Sequence, residues 1–391
     1  MKIFNPIYLR ALFRSSSYFA GRALRGNRLP IEQVARRTEL VSKEHIFRAR
    51  RPFFDNEHLN RIQPTRHFSA AEIINEHLRR DTIEFRPVRL HWVNDAWIID
   101  GSVFISGSQR IQLTNTLAPR SLLRRLVPMP EQPMFNLEEG VLVGTCAGAT
   151  WFGHWLEDEV PQHLLGSSYG TPLTAPRKPY SHESGYLTAL SLRTPMEIGT
   201  GRIGSLVVIE EFAQNPHKTA RFAEMRRRLA ASATGSEKVF LFRGDSGTPR
   251  RMVNERELAE RLSVEGFRVV EIGRASFEEI VEACRGASVV VGVEGSHLAH
   301  ALFLMGDYGT LLILNPPYQV HTTVADIGVF CRLNSGMFVC QETGISGEFF
   351  ADIEEVLGFL ERLLRHSESE QEALRAYVDE VIAMADTKAT V

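Results

Sequence analysis

The second half of the chain alternates two kinds of apolar pattern. Continuous runs rich in β-branched residues predict buried parallel strands: "SLVVIEEF" from Ser205, "KVFLFR" from Lys238, "FRVVEI" from Phe267, Ser288 to Val293, and "TLLILNP" from Thr310. Runs at helical spacing lie between them. "NPHKTARFAEMRRRLA" is opened by Asn215 and Pro216, and a helix beginning at Asn254 turns Leu258 and Leu262 inward. "SFEEIVEAC" carries a Ser-x-x-Glu capping box, with Phe277, Ile280, Val281 and Cys284 on one face. Beyond Val293, the residues Leu298, Ala301, Leu302 and Met305 recur at helical spacing, with Ser296 placed as N-cap and Gly306 as stop. Strand, turn and helix repeating in this way predict a doubly wound parallel sheet.

The first half is less regular. Residues from about Phe4 to Phe68 read as an arm with irregular and helical pieces. Short strand candidates follow: "PVRLHWV" from Pro87, "AWIID" from Ala96, "SVFIS" from Ser102 and "GVLVGT" from Gly140. "GHWLEDEVPQHLL" from Gly153 predicts a helix despite Pro161, and a Pro- and Gly-rich stretch begins at Tyr169. The expected organisation is a basic N-terminal arm over 1–68, a first α/β domain over 69–200 and a second over 201–391. Two such domains would leave a cleft between them, a common place for a ligand.

Composition narrows the class. The 391 residues are 43% hydrophobic and 24% charged, with a formal net charge of -2, which is ordinary for a globular protein and gives no reason to expect a nucleic-acid partner. No apolar run approaches the roughly 20 residues needed to cross a bilayer. Arg10 and Arg14 interrupt the first apolar stretch where the uncharged core of a signal peptide should lie. Cys146, Cys284, Cys331 and Cys340 form no CxxC pair, which argues against a zinc knuckle or disulfide framework and for a reducing, cytoplasmic setting. Charge is uneven, however. Before Glu32 there is no acidic residue, while Lys2, Arg10, Arg14, Arg22, Arg25 and Arg28 are basic. A helix over Ile7–Arg14 would segregate Tyr8, Leu9, Leu12 and Phe13 from the arginines, so peripheral contact with the inner face of a cell membrane and a solvated basic arm are both open.

Candidate chemistry gathers at the expected strand ends. Arg243 closes the strand from Lys238, on the same rim of the sheet as Gly295, and Arg250 and Arg251 lie in the loop before Asn254. Guanidinium groups beside a helix N-terminus suit a phosphate or diphosphate, because Arg offers paired planar donors and stays charged. Surface ion pairing is the alternative for Arg243 and Arg251, and plain helix capping for Asn254 and Glu257. "GSSYG" matches the Gly-x-Ser-x-Gly pattern at Ser168, but a helix precedes it where a nucleophile elbow needs a strand. His297 and His300 have the spacing of a zinc pair without a convincing third ligand.

"LFRGDSGTPRRMVNERELAERLSVEGFRVVEI" followed by "SFEEIVEACRGASVVVGVEGSHLAHALFL" resembles glycosyltransferase family 61, formerly the DUF563 group. "WFGHWLEDEVPQHL" from Trp151 resembles the same family's His-Trp segment, and the ordered blocks cover about Trp151 to Asn315. The resemblance implies a GT-B-like architecture of two Rossmann-like doubly wound domains facing a cleft. It implies an inverting transferase that moves a sugar from a nucleotide-diphosphate donor, most often a UDP-sugar, to a glycan or lipid-linked glycan acceptor. Capsule, exopolysaccharide or lipopolysaccharide would be the product in a bacterial member.

On that reading the first domain lies on the acceptor side and the second binds the donor through Arg243, Arg250, Arg251, Asn254, Glu294, Gly295, Ser296 and His297. No Asp-x-Asp motif occurs, in keeping with diphosphate neutralisation by basic side chains and a helix terminus, with neither metal nor cofactor required. The chain departs from the family pattern at Glu294, where many members have His, and at His297 and His300. His154 is the expected general base, with Asp158 four residues on to orient it and Glu159 as a further catalytic candidate. Trp151 and Trp155 are candidates for stacking on a sugar, with core packing the favoured role for Trp155. A non-catalytic sugar-nucleotide-binding or scaffold protein of a glycan assembly is the alternative reading.

Overall fold

The computed structural model describes residues 29–65, 68–99, 102–105, 109–112, 134–211, 213–229, 235, 237–245, 247 and 250–386. The basic segment for which membrane contact and a solvated arm are both open, residues 1–28, lies outside the described residues. Internal contacts divide the chain into two units, one drawing on Met1–Glu44 and Arg86–Asn215, the other on His45–Phe85 and Pro216–Thr387. This division differs from the expected segments. A strand spanning Thr200–Glu210 runs through the expected break near Gly201, and residues 29–65 are shared between the units where a separate arm was expected.

The first unit is built on a nine-stranded mixed sheet. The two strand candidates of "PVRLHWV" and "AWIID" are one strand, β1 (Val88–Ile99), and "GVLVGT" is the end of β2 (Met134–Leu142). With β3 (Thr171–Thr174) and β4 (Thr200–Glu210) they form the centre of the sheet, in the order β1-β4-β2-β3. β4 runs antiparallel to β1 and parallel to β2, so this is not a second doubly wound parallel sheet. The reason lies in the pattern: hairpin neighbours such as Trp97 and Phe104 pair antiparallel without an intervening helix. Val93, Ala96, Ile98, Leu142, Leu173, Ile203, Leu206 and Val208 make the main core on one face. Helical residues 152–166 follow β2. Their middle, Trp155–Glu159, is a π-turn in which the Val160 N–H reaches the Trp155 carbonyl five residues back. The widened turn precedes Pro161, whose ring would crowd the preceding carbonyl of a regular helix.

The second unit contains the expected alternation. Its elements are α1 (Pro216–Arg228), β5 (Lys238–Phe242), α2 (Glu255–Val264), β6 (Phe267–Glu271), α3 (Phe277–Cys284), β7 (Val289–Val293), α4 (Ala299–Leu304), β8 (Thr310–Asn315), α5 (Thr323–Phe330), β9 (Asn334–Val339) and α6 (Ile353–Asp386). The sheet order is β6-β5-β7-β8-β9, and all four pairings are parallel. β7 and β8 are buried along their whole length, as continuous Val and Leu runs require when helices cover both faces. Ser276 and Glu279 form the capping box of α3 as expected. Phe240, Leu258, Leu262, Val291, Leu312, Phe338, Phe359 and Leu363 share the largest core. Residues expected in the arm are part of this unit: Phe53 pairs with the outer strand, its N–H donating to Ser335 and its carbonyl accepting from Met337, both at 2.8 Å.

A buried arginine binds α1 to the end of α4. Arg226 donates to the carbonyls of Leu302 at 2.5 Å and Met305 at 2.8 Å, and its guanidinium meets Asp307 at 2.8 Å. Arg226→Met should lower the stability of this unit by about 3 kcal/mol, since buried main-chain acceptors and a carboxylate lose their donor. Hydrogen exchange of the β7 and β8 amides in urea would measure it. A loss under about 1 kcal/mol would show that water replaces the guanidinium at little cost.

Candidate functional site

The order β6-β5-β7-β8-β9 contains one place where successive connections leave in opposite directions, between β5 and β7. At such a switch point the loops after the two strands part and leave a crevice at their carboxyl ends. Arg243 follows β5 and Glu294 to His297 follow β7, so the crevice is lined by the residues singled out above. Arg243 is buried. Its guanidinium donates to the Arg250 carbonyl at 2.7 Å, and a Cβ placed on Gly295 would lie 3.4 Å from its Nε and 3.1 Å from His297 Nδ1. Gly295 has φ 157 and ψ 167, a conformation essentially restricted to glycine, so both backbone and space demand it there.

The electrostatics of the crevice are set by burial. Burial, followed by the Arg243 and Arg250 charges, pushes the His297 imidazole down to about 3, so the ring is neutral at neutral pH. Burial, and then Arg243, pushes Arg250 down to about 10, and burial lowers Arg243 too, opposed by Glu255. Both arginines still carry charge at neutral pH. Two buried nitrogens here have no hydrogen-bond partner, His297 Nε2 and Arg250 Nε. A polar atom left unpaired in such a place costs on the order of 1–3 kcal/mol unless a ligand or water meets it.

Other expected donor residues sit differently. Glu294 is spent on Arg250, whose Nη1 also reaches the Glu294 carbonyl at 3.0 Å. Arg251 begins a short strand that pairs with Glu348–Phe350. Its side chain is 69% exposed and meets Glu348 at 3.0 Å, so it forms the surface ion pair rather than part of the cluster. Asn254 stands before α2, but its side chain joins the Ala351 main chain, donating at 2.7 Å and accepting at 3.2 Å, and makes no cap bond to the helix. Ser296 begins a single 3-10 turn with Gly295 as its N-cap and no side-chain cap bond, and α4 has only six residues. The cationic groups of the crevice are therefore side chains, Arg243 and Arg250, rather than a long helix dipole.

Glu255 was not foreseen. Buried in the first turn of α2, it accepts the Arg243 and Gly244 N–H groups at 2.7 and 2.9 Å. The acidic residue directly after Asn254 was the available signal. Tyr318, whose hydroxyl donates to the Gly347 carbonyl at 2.9 Å and is pushed up by burial against the Arg250 and Arg243 charges, was also missed.

In the first unit, His154 and Asp158 form the expected pair, Nδ1 to Oδ2 at 2.8 Å, with side chains 40% and 29% exposed. Glu159 is instead buried, and its Oε1 accepts the Thr145 N–H at 2.6 Å and hydroxyl at 3.3 Å. It supports the turn before the helix. Trp155 is a core residue, while Trp151 is exposed beside His154, ring centroids 5.8 Å apart. Ser168 follows a helix and precedes β3, the reverse of a nucleophile elbow.

Among the described residues one grouping has metal-ligand geometry, Glu32, His91 and Glu210, with ligand atoms within 4.8 Å of one another. Glu210 there is already shared by Arg89 and His91, each at 3.2 Å. His297 and His300 are not in such a grouping. None of the helices among the described residues is long and apolar enough to cross a membrane.

Residues 152–311 match the family model described as Glycosyltransferase 61, a span that takes in both the His154–Asp158 pair and the Arg243–His297 crevice. No curated protein matches the chain.

Glu159 also generates a pH dependence. Burial raises its carboxyl from 4.5 to about 7 against the opposing Thr145 N–H and Arg177 charge. A folded-state value above the unfolded one favours the fold below the unfolded value, and that contribution is lost as pH rises through about 7. Glu159→Gln should therefore match the parent's urea midpoint near pH 4 and exceed it above pH 7. Parallel midpoints across that range would place the Glu159 carboxyl in contact with water.

Proposed function

We propose, from the match of residues 152–311 to glycosyltransferase 61, that this chain is an inverting glycosyltransferase that takes its sugar from a nucleotide-diphosphate donor, a UDP-sugar, and passes it to a glycan acceptor in surface polysaccharide synthesis. The observation that carries the donor part is the switch-point crevice. The buried Arg243, the partly buried Arg250 and a neutral imidazole line it, with His297 Nε2 and Arg250 Nε unpaired. A diphosphate offers acceptor oxygens to such nitrogens and charge to the guanidiniums, and a departing nucleoside diphosphate is stabilised by the same groups without a metal ion.

The acceptor part rests on His154. Asp158 is bonded to Nδ1, so the nitrogen assigned to take the proton is Nε2 on the other side of the ring. The acceptor hydroxyl oxygen bonds to the anomeric carbon, the bond from that carbon to the diphosphate oxygen breaks, and the hydroxyl proton passes to His154. Asp158 orients the ring and stabilises the imidazolium. Inversion follows from attack opposite the leaving diphosphate.

Arg243→Ala should weaken UDP binding by about 1.5–3 kcal/mol, the scale of a hydrogen bond to a charged group, and leave uridine binding as it was. Calorimetric titration of UDP and uridine decides this, with melting temperature as the folding control. Equal losses for both ligands would make Arg243 a structural residue, and no UDP binding by the parent would sink the donor assignment.

His154→Ala should lower turnover in the presence of EDTA by about 10²–10⁴-fold while UDP affinity stays at the parent's value. His154→Asn should be equally poor, because an amide cannot take the proton. Turnover above a tenth of the parent's in both variants would remove His154 from the chemistry. Donor binding without any turnover in the parent would favour the non-catalytic reading.

A further inference from the structure

Of the chain's four tryptophans, Trp97 and Trp155 are buried, and Trp92 is half-buried under the Arg37 guanidinium, 4.5 Å from its ring centroid. Trp151 differs, with 48% of its surface exposed. The ring nevertheless stands on a fixed base. Ala149, Thr150 and Trp151 donate their N–H groups to the carbonyls of Thr145 and Ala147 at 2.9–3.1 Å, and Gly148 donates to the Thr145 hydroxyl at 2.9 Å. Thr145 is held in turn by buried Glu159, and the Tyr180 hydroxyl donates to the Gly148 carbonyl at 2.6 Å. A Cβ on Gly148 would fall 2.4 Å from Glu159 Oε1, so the turn lies directly on that carboxyl.

We infer that Trp151 is the stacking platform for a pyranose ring of the acceptor, an assignment that rests on the glycosyltransferase reading. An indole face carries negative quadrupole charge, and the C–H groups on one face of a pyranose present the complementary positive edge. The neighbours select a sugar over a protein partner. Thr150 beside the ring is exposed and Phe152 only partly so, which leaves one isolated apolar ring and not the contiguous patch of several hundred Å² that marks a protein interface. The His154 imidazole, tilted 57° to the indole at 5.8 Å between centroids, lies where hydroxyls at the rim of a stacked ring would reach it. A rigid base keeps the stacking geometry, and hence the choice of hydroxyl, constant from one acceptor to the next.

Acrylamide quenching of tryptophan fluorescence tests this, with methyl β-D-galactopyranoside, methyl β-D-glucopyranoside and methyl α-D-mannopyranoside as probes. Trp151→Phe should remove the readily quenched component of the parent's emission. At least one glycoside should shield the parent until its quenching falls to that of the variant, whereas UDP should not. In transfer to that glycoside, Trp151→Ala should raise the acceptor KM by about 2- to 12-fold with kcat and melting temperature unchanged, and Trp151→Phe should recover part of the loss. Transfer without shielding, or an unchanged KM in Trp151→Ala, would overturn the platform while leaving the transferase reading intact. Shielding without transfer by any UDP-sugar would keep the platform and defeat the transferase reading. Neither shielding nor transfer would end both.

Discussion

The crevice of the second unit depends on one buried carboxylate. Glu255, in the first turn of α2, accepts the N–H groups of Arg243 and Gly244 where β5 ends and no neighbouring strand remains to bond them. Left unpaired, each buried N–H would cost about 1–3 kcal/mol, and the chain would have to turn elsewhere. With Glu255 in place, the chain leaves β5 in one direction only, and the Arg243 side chain is delivered to the Arg250 carbonyl and to the face of Gly295. Burial raises the Glu255 carboxyl, opposed by these same two N–H groups, which marks the bonds as the return on an otherwise costly position.

The first unit solves the equivalent problem with the same device. Glu159 is buried below the Thr145–Trp151 turn, its oxygen accepts the Thr145 N–H, and Trp151 and His154 project from the structure so fixed. In both units a buried carboxyl accepts backbone N–H groups and so fixes the turn that carries the candidate side chains. Arg177 shows the contrast. It is buried near Glu159 but forms a bidentate pair with Glu183, both bonds at 2.8 Å, and so neutralises a different carboxylate. Glu159 is left with N–H and hydroxyl donors, and burial pushes its carboxyl up against them.

How much of this was legible in the sequence follows from the range of the interactions. The parallel strands, the capping box at Ser276 and the glycine turn at Gly295 are local events, written within a few residues, and the second unit's sheet could be read from them. The mixed sheet of the first unit could not. "PVRLHWV" and "AWIID" join into one strand across Asn94 and Asp95, although Asp95 with φ 50 looks like a turn, because β4 pairs with ten of the strand's residues over its whole length. That pairing spans more than a hundred positions in the sequence, and nothing near Asp95 announces it. At the site, Arg243, Gly295 and the His154–Asp158 pair were visible because their spacing is itself the signal. Glu255 was not foreseen, since its partners are backbone groups twelve and eleven positions away.

The crevice of the second unit is nearly neutral as it stands. Arg250 is matched by Glu294, Arg243 lies near the charge of Glu255, and His297 is uncharged. Two arginines buried together without such compensation would carry a desolvation cost of several kcal/mol each. Under the proposed function, a diphosphate entering here must compete with Glu294 for Arg250, because both present carboxylate-like oxygens to one guanidinium. Net attraction then comes from what Glu294 cannot satisfy: Arg250 Nε and His297 Nε2, both buried and unpaired. A single anionic oxygen gains little from such an exchange, whereas a ligand with several oxygens spread over two phosphates can meet Arg250 and the unpaired nitrogens together. Under that function, selectivity for an extended polyanion over a lone anion would follow from the Glu294–Arg250 pair.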